Sequence, residues 1–470
     1  MRLEIKMMKE IRKMKRRKIT ALLLSCTMAA VLFAGCSSGS KDSADNNAAA
    51  DSSETESGKS DAAGGKVEIS FWDNNADTVR TEIFKQIIAE FEAENPDIKV
   101  NFVPVPADQA KSKYDVAIQG GTAPDCGIVS QYWMSDFIIQ NALVPLDDYL
   151  AGWADADQQL EVFQESIRDM APDGKTYGLA QTVTIPAIWY NTNILKEANI
   201  QVPEDWDEII TAAEKATNKE KGIYGFSLRG GAGNSQQFEQ MMYQYSGITQ
   251  MFDEDGKSTI NDPAHVQLLD SFAKIYNVYT PESDITNGAT EMISAFDSGS
   301  AAMIFHNLGS YGLHRDTLGA ENFDSLVTLN SKKDTKVIVS NGCMGVSIFN
   351  NSKHPEEAFK FISYLCEKNG SSKFNEKIGQ VPCNKEALED DWVAKAAPIK
   401  EAADALLDEN TELATLPINV IGYYDLHQNV LVEGFQNVLL GNTSAQEFLN
   451  DWADQMTQLK AEYDANVKNK

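Results

Sequence analysis

Residues 173–195 read DGKTYGLAQTVTIPAIWYNTNIL. Asp173-Gly174 opens a tight turn, and Gly174 and Gly178 suit turns because glycine adopts conformations closed to other residues. Thr182, Val183, Thr184 and Ile185 favour extended backbone. Pro186 has no N–H to give to a ladder, so an ordinary central strand is not expected across it. An apolar, aromatic run follows, ending at Tyr190-Asn191. The pattern predicts a ribbon that leaves one lobe and starts another, with Gln181, Thr182 and Thr184 as hydrogen-bonding side chains near a cleft. A surface hairpin is the competing reading of this stretch taken alone.

Outward from it, size sets the first bound. A chain of 470 residues exceeds what one core organises, so two lobes are expected. The formal net charge is −28. Residues 1–35 hold nine Lys/Arg against two Glu, a surplus of seven positive charges that leaves −35 on the rest. Such a body repels phosphate, which excludes nucleic acid as a partner.

The basic start is a targeting segment rather than part of the fold. Lys15-Arg16-Arg17-Lys18 form an n-region, Ile19 to Ala34 an apolar h-region, and Ala34-Gly35-Cys36 follows. Small residues before a cysteine at that place resemble a bacterial lipobox, in which the cysteine is acylated and becomes the mature N-terminus. Phe33 stands where leucine is commonest. An uncleaved anchor is the alternative, but a span needs about 20 apolar residues. Met14 gives a more conventional start than Met1. The expectation is a signal peptide over 1–35, lipidation at Cys36 and a tether over 36–65, whose Ser, Ala, Asp, Gly and Asn cannot bury enough apolar surface to fold.

Lys66 begins the folded part. Val67, Ile69 and Phe71 alternate with polar residues as a strand that ends in Trp72-Asp73-Asn74. Val79, Ile83, Ile87 and Phe91 share one face of a helix over Thr78–Glu94, which Asn95-Pro96 stops. Ile98, Val100 and Phe102 alternate again. This is a βαβ unit of a parallel sheet, and ligands of such sheets sit beyond the carboxyl ends of strands. That rule places Trp72, Asp73 and Asn74 at the mouth. It also places Tyr132 and Trp133 there, after a short strand from Cys126 that follows Asp125; burial in the core is an equal reading for these two aromatics.

Beyond the crossing, Trp206, Ile210 and Ala213 share a helix face. Arg229 opens a glycine-rich loop, RGGAGN, that lacks the spacing of a nucleotide loop. A strand over Ala301–Phe305 ends in His306-Asn307 and leads to Tyr311. Another precedes Ser340-Asn341-Gly342. A helix opened by Ser352 carries Phe359, Ile362 and Cys366. Tyr423-Tyr424 precedes a helical run, and Thr443 to Glu447 caps a last helix.

ISFWD (69–73), GTAPD (121–125), LVPLDDYL (143–150), DGKTYGL (173–179), WYNTNILKEANI (189–200), PEDWDEI (203–209), FDSGSAAMIF (296–305) and SKHPEEAFKFISYL (352–365) together resemble the family 1 extracellular solute-binding proteins, relatives of maltose-binding protein that feed ABC sugar importers. Each motif is weak; their order over Lys66 to about Leu459 carries the likeness. One departure is His306-Asn307-Leu308-Gly309-Ser310-Tyr311, where the family often has a Gly-Trp pair.

The resemblance implies an α/β, two-lobed, periplasmic-binding-protein-like (type 2) fold. Each lobe would be a mostly parallel sheet flanked by helices, with hinge crossings and a cleft between lobes. The lobes are expected over 66–180 plus 345–392 and over 183–341 plus 393–470. The implied ligand is a carbohydrate, captured by lobe closure and delivered to an ABC permease. The protein would be a monomer anchored outside the cell through Cys36, with no cofactor and no metal. A sugar offers apolar C–H faces and a rim of hydroxyls, so aromatic rings and short polar side chains should line its site. The candidates are Trp72, Asp73, Asn74, Asp125, Tyr132, Trp133, Gln181, Thr182, Arg229, His306, Asn307, Tyr311, Gly342, Tyr423 and Tyr424.

Two rivals remain open. A glycoside hydrolase would need two carboxylates at a set separation, for which Asp73 and Asp125 could serve. A polyamine binder would use acidic cleft residues. The isolated His265, His314, His354 and His427 are expected at the surface or in the core. Cys126, Cys343, Cys366 and Cys383 are expected as buried free thiols, with Cys366–Cys383 the pair best placed to bridge.

Overall fold

A computed structural model describes residues 66–468 apart from Asn341. The expected signal peptide, Cys36 and the tether lie outside the described residues.

Strand β1 (Val67–Asp73) pairs in parallel with β2 (Ile98–Pro104) along its whole length. The helix Thr78–Glu94 joins them. Its N-cap is Asp77, whose carboxylate accepts from the Arg80 amide, and Asn95 ends it by donating to the Phe91 carbonyl. The side facing the sheet buries Ile83, Phe84, Ile87, Ile88 and Phe91, with Phe84 edge-on to Phe71 at 5.2 Å. The helices Pro355–Cys366 and Lys368–Ile378 complete this layer, bringing Phe361 to 5.1 Å from Phe71 and Phe374 to 4.9 Å from Phe84.

On its other edge β1 pairs in parallel with β3 (Cys126–Ser130). The sheet then continues through strands that come from elsewhere in the chain. With β4 (Leu179–Val183), β9 (Cys343–Ile348) and β10 (Val381–Pro382), the order is β10-β4-β9-β3-β1-β2. A second sheet has β5 (Pro186–Asn191) between β6 (Met303–Asn307) and β7 (Phe323–Leu326). Beside it, β8 (Lys336–Ser340) pairs with β11 (Thr411–Thr415).

The expectation of mostly parallel sheets is corrected by these pairings. Only β1–β2, β1–β3 and β8–β11 are parallel; β3–β9, β4–β9, β4–β10, β5–β6 and β5–β7 are antiparallel. Parallel neighbours need a long crossover, whereas β9 follows β8, in the two-stranded sheet, after two residues, so its direction is set by that step. Pro186 is likewise reconciled: β5 is a central strand, but Pro186 is its first residue, where the missing N–H interrupts least.

The chain crosses between the six-stranded sheet and the two smaller ones three times: from β4 to β5 at Thr184-Ile185, from β8 to β9, and from β10 to β11. The four described cysteines are buried and unbridged, so no Cys366–Cys383 disulfide is present. His265, His314 and His427 are buried and His354 is partly exposed. No helix among the described residues is long and apolar enough to cross a membrane.

Candidate functional site

Where β4 hands over to β5, a cavity of about 50 Å³ opens, lined by Thr184, Arg229, Gly233, Gln236, Gln237, Gln240, Phe305, His306 and Asn307. Three elements build it. Strand β6 ends there and delivers His306 and Asn307. The helix Asn234–Ser246, buried along most of its length, presents Gln236 and Gln237 beside Gln240, since residues three and four apart share a face. The glycine-rich loop supplies Arg229, which lies over Gly233: a Cβ there would come within 2.4 Å of a guanidinium nitrogen, and the φ of +80° also calls for glycine.

Several of these side chains are anchored. Arg229 Nε donates to the Ala232 carbonyl at 2.6 Å, and Gln240 Nε2 to the Val339 carbonyl at 2.8 Å. The Gln237 amide donates to the Phe305 carbonyl. His306 Nδ1 pairs with Ser310 Oγ at 3.1 Å. Burial first, then the charge of Arg229, pushes the His306 imidazole down to about 4, so the ring is neutral at pH 7. Burial also lowers Arg229, with Tyr132 acting the other way.

A groove of about 240 Å³ has walls from two regions: Lys111, Tyr132, Trp133, Ser135 and Asp136 on one side, residues 418–422 with Tyr424 and Asp425 on the other. Tyr132 lies parallel to Tyr423 at 6.4 Å and tilted to Tyr424 at 5.7 Å. The Gln236 amide donates to the Tyr132 hydroxyl, linking the groove to the cavity. Behind Tyr423, its hydroxyl donates to Glu239 Oε2 at 2.5 Å, His427 Nε2 lies 3.3 Å from the same oxygen, and Ser235 Oγ is 2.9 Å from His427 Nδ1. The backbone here makes a π-helical turn over Leu426–Val430, a feature frequent at functional sites.

Of the residues singled out in the sequence, Arg229, His306 and Asn307 meet in the cavity, and Tyr132, Trp133 and Tyr424 line the groove. Trp133 is largely buried among core side chains and Tyr423 wholly so. The others are placed differently. Asp73 is buried in a two-point pair with Arg80, at 2.7 and 3.3 Å, which takes up its carboxylate. Asp125 precedes β3, at its amino end, and accepts from Ser70 N and Oγ and from Ser352 Oγ. Asn74, Gln181 and Thr182 are buried; Gln181 sits at an irregularity in the β4–β9 register. Tyr311 stacks on Trp189 at 6.4 Å instead of lining the cavity. Gly342 is a crossing residue with φ +94°. Trp72, expected opposite His306, packs on Tyr114 at 5.2 Å beneath Lys113 Nζ and lines a separate open groove with the helix Ala107–Gln119.

The sequence reading missed Gln236, Gln237 and Gln240. Their signal was a helix rich in polar residues (Asn234, Ser235, Glu239 and Gln244 beside these three) that is nonetheless buried along most of its length, and buried polar groups need partners. Ile418 to Gly422 carry no signal.

A six-stranded sheet joined to two smaller ones by repeated crossings, with a polar cavity and an aromatic groove linked beside them, fits a two-lobed binding protein. The profile of the bacterial extracellular solute-binding protein family matches residues 75–368, and the chain belongs to that family. A Brucella abortus (strain 2308) protein described only as a binding protein is 27% identical over 405 residues, covering 84% of this chain and 93% of its own length. The arabinooligosaccharide-binding protein of Bacillus subtilis (strain 168) is 25% identical, over 70% of this chain and 74% of its own. Among solved structures, the GacH receptor of Streptomyces glaucescens, known unliganded and with acarbose, superposes with a TM-score of 0.71 at 24% identity, covering 85% of this chain and 99% of that one.

Proposed function

We propose that the solute is a carbohydrate, an oligosaccharide in particular, captured as the lobes close and passed to an ABC permease. The observation that carries this reading is the pairing of a hydroxyl-matching cavity (Thr184, Gln236, Gln237, Asn307) with the aromatic wall of Tyr132 and Tyr424. Amides and hydroxyls suit a sugar's rim and flat rings suit its C–H faces. The names of the Bacillus subtilis relative and of the GacH complex point the same way.

A polyamine fits the cavity poorly, because its one charged lining residue is Arg229. A hydrolase would need carboxylates at the ligand, and Asp73 and Asp125 are held by structural partners. The body is read as a monomer, tethered outside the cell membrane through Cys36. Cys36→Ala is expected to release protein to the medium or leave precursor; unaltered membrane retention and precursor size would overturn the anchor.

The ligand test is a thermal-shift screen over carbohydrates and amines, followed by calorimetry. At least one carbohydrate should raise the melting temperature and bind with a micromolar or lower Kd. Binding of spermidine with no response to any carbohydrate would sink the reading.

A further inference from the structure

Four arginines lie among the described residues. Arg80 pairs with Asp73, Arg168 with Glu161 and Arg315 with Asp316. Arg229 alone has no carboxylate partner among the described residues, although the chain carries 69 Asp/Glu against 41 Lys/Arg. In so acidic a chain an unpaired arginine runs against the odds at the surface. It is costlier in a cavity, where a charge removed from water needs compensation. Its one hydrogen bond among the described residues uses Nε, leaving its two terminal nitrogens, which lie over Gly233 at the cavity it lines, open to a ligand.

The surroundings favour one kind of guest. No Asp or Glu lines the cavity, and the amides of Gln236 and Gln237 and the hydroxyl of Thr184 flank the arginine. His306 is neutral, so it adds no second cation and can accept or donate. About 50 Å³ holds a few water molecules, the room a carboxylate occupies. A guanidinium matches a carboxylate in two parallel hydrogen bonds, a geometry that a single hydroxyl cannot fill.

We infer that the ligand is an acidic sugar, a uronide whose carboxylate docks on Arg229. This rests on the carbohydrate reading and narrows it. The net charge of the body opposes an approaching anion, but exposed charges beyond about 8 Å are screened at physiological salt, whereas the desolvated contact in the cavity is not. Contact therefore outweighs long-range repulsion.

The test uses the folded protein and a calorimetric panel: oligogalacturonides, oligomannuronides and glucuronoxylan fragments, each beside its methyl ester, which keeps the ring and removes the charge, and beside neutral oligosaccharides. An acid should bind about 10- to 100-fold more tightly than its ester. Arg229→Gln, checked for an unchanged melting curve, should abolish that difference, and Arg229→Lys should keep part of it. Raising NaCl should leave the preference for the acid over the ester in place, because the desolvated contact is not screened. If neutral oligosaccharides bind as well as or better than every acid, the inference is overturned and the carbohydrate reading stands. If no carbohydrate of either kind binds, both fall. The ester comparison on unaltered protein holds even if the variants misfold.

Discussion

The Thr184 amide donates to the Gly342 carbonyl across 3.4 Å, tying the first passage between the sheets to the second. The bond is long and weak, and it joins the segment between β4 and β5 to the segment between β8 and β9. Thr184 also lines the cavity, so the hinge and the site share a residue.

Gly342 is the more constrained partner. At φ +94° an added Cβ would lie 2.2 Å from Gln131 Oε1 and 2.6 Å from Ile418 Cδ1. Gln131 cannot easily yield, because its Nε2 donates to the Ser166 carbonyl at 2.8 Å and its Oε1 accepts from the Cys343 amide. Gly342→Ala is expected to cost about 1–3 kcal/mol in a denaturant titration, from backbone strain plus overpacking. An unchanged unfolding midpoint would contradict this placement.

Trp72→Ala separates the two placements of that ring. Packed on Tyr114 and half-buried, Trp72 should contribute about 1–3 kcal/mol to stability. Ligand affinity should stay within about threefold, because the ring lines a groove distinct from the cavity. A tenfold loss of affinity in a fully stable variant would return Trp72 to the ligand.

Tyr132→Phe keeps the stack on Tyr423 and deletes the hydroxyl that accepts from Gln236. That contact joins the two walls, so its loss should shift the population toward the open form and weaken binding about 3- to 10-fold. Small-angle scattering with and without ligand reads the first effect and calorimetry the second. Identical scattering curves and affinity would show that the contact does not bias closure.

His306 gives a pH prediction. Its folded pKa of about 4 lies below the ordinary 6.5, so folding favours the neutral ring. The stability this provides is complete above about pH 6.5 and is lost as pH falls toward 4. Asp284 acts in the opposite sense: burial raises it to about 7, so its contribution is present below about 3.8 and lost as pH rises through 7. The His306 contribution is thus read as the difference between the parent and His306→Gln across pH 4–7, alongside an NMR titration of the ring. A ring titrating near 6.5 would refute its burial.

The local framework was legible because short-range patterns dictate it. Val67, Ile69 and Phe71, then the Thr78–Glu94 face, fold as their periods require, and Pro186 sits where a proline can. The strand-end rule brought His306 and Asn307 to the cavity but misplaced Asp73, whose salt bridge to Arg80 depends on how the next helix docks. Asp125 was misread because the residue before a strand lies at the opposite end from the one after it. The glutamines of the Asn234–Ser246 helix gain meaning only once that helix is set against β6, a relation between residues nearly 70 positions apart.

The place of β9 also shapes how the chain reaches this form. It lies between β3 and β4, yet it is synthesised more than 150 residues after either. Until Cys343–Ile348 emerge, β3 and β4 each present an open strand edge to other chains. Neither edge can be closed early by a local partner, so completing this sheet is a late, long-range event that slows folding. A chain made in order therefore stays unfinished for most of its synthesis, with strand edges open to aggregation until β9 arrives.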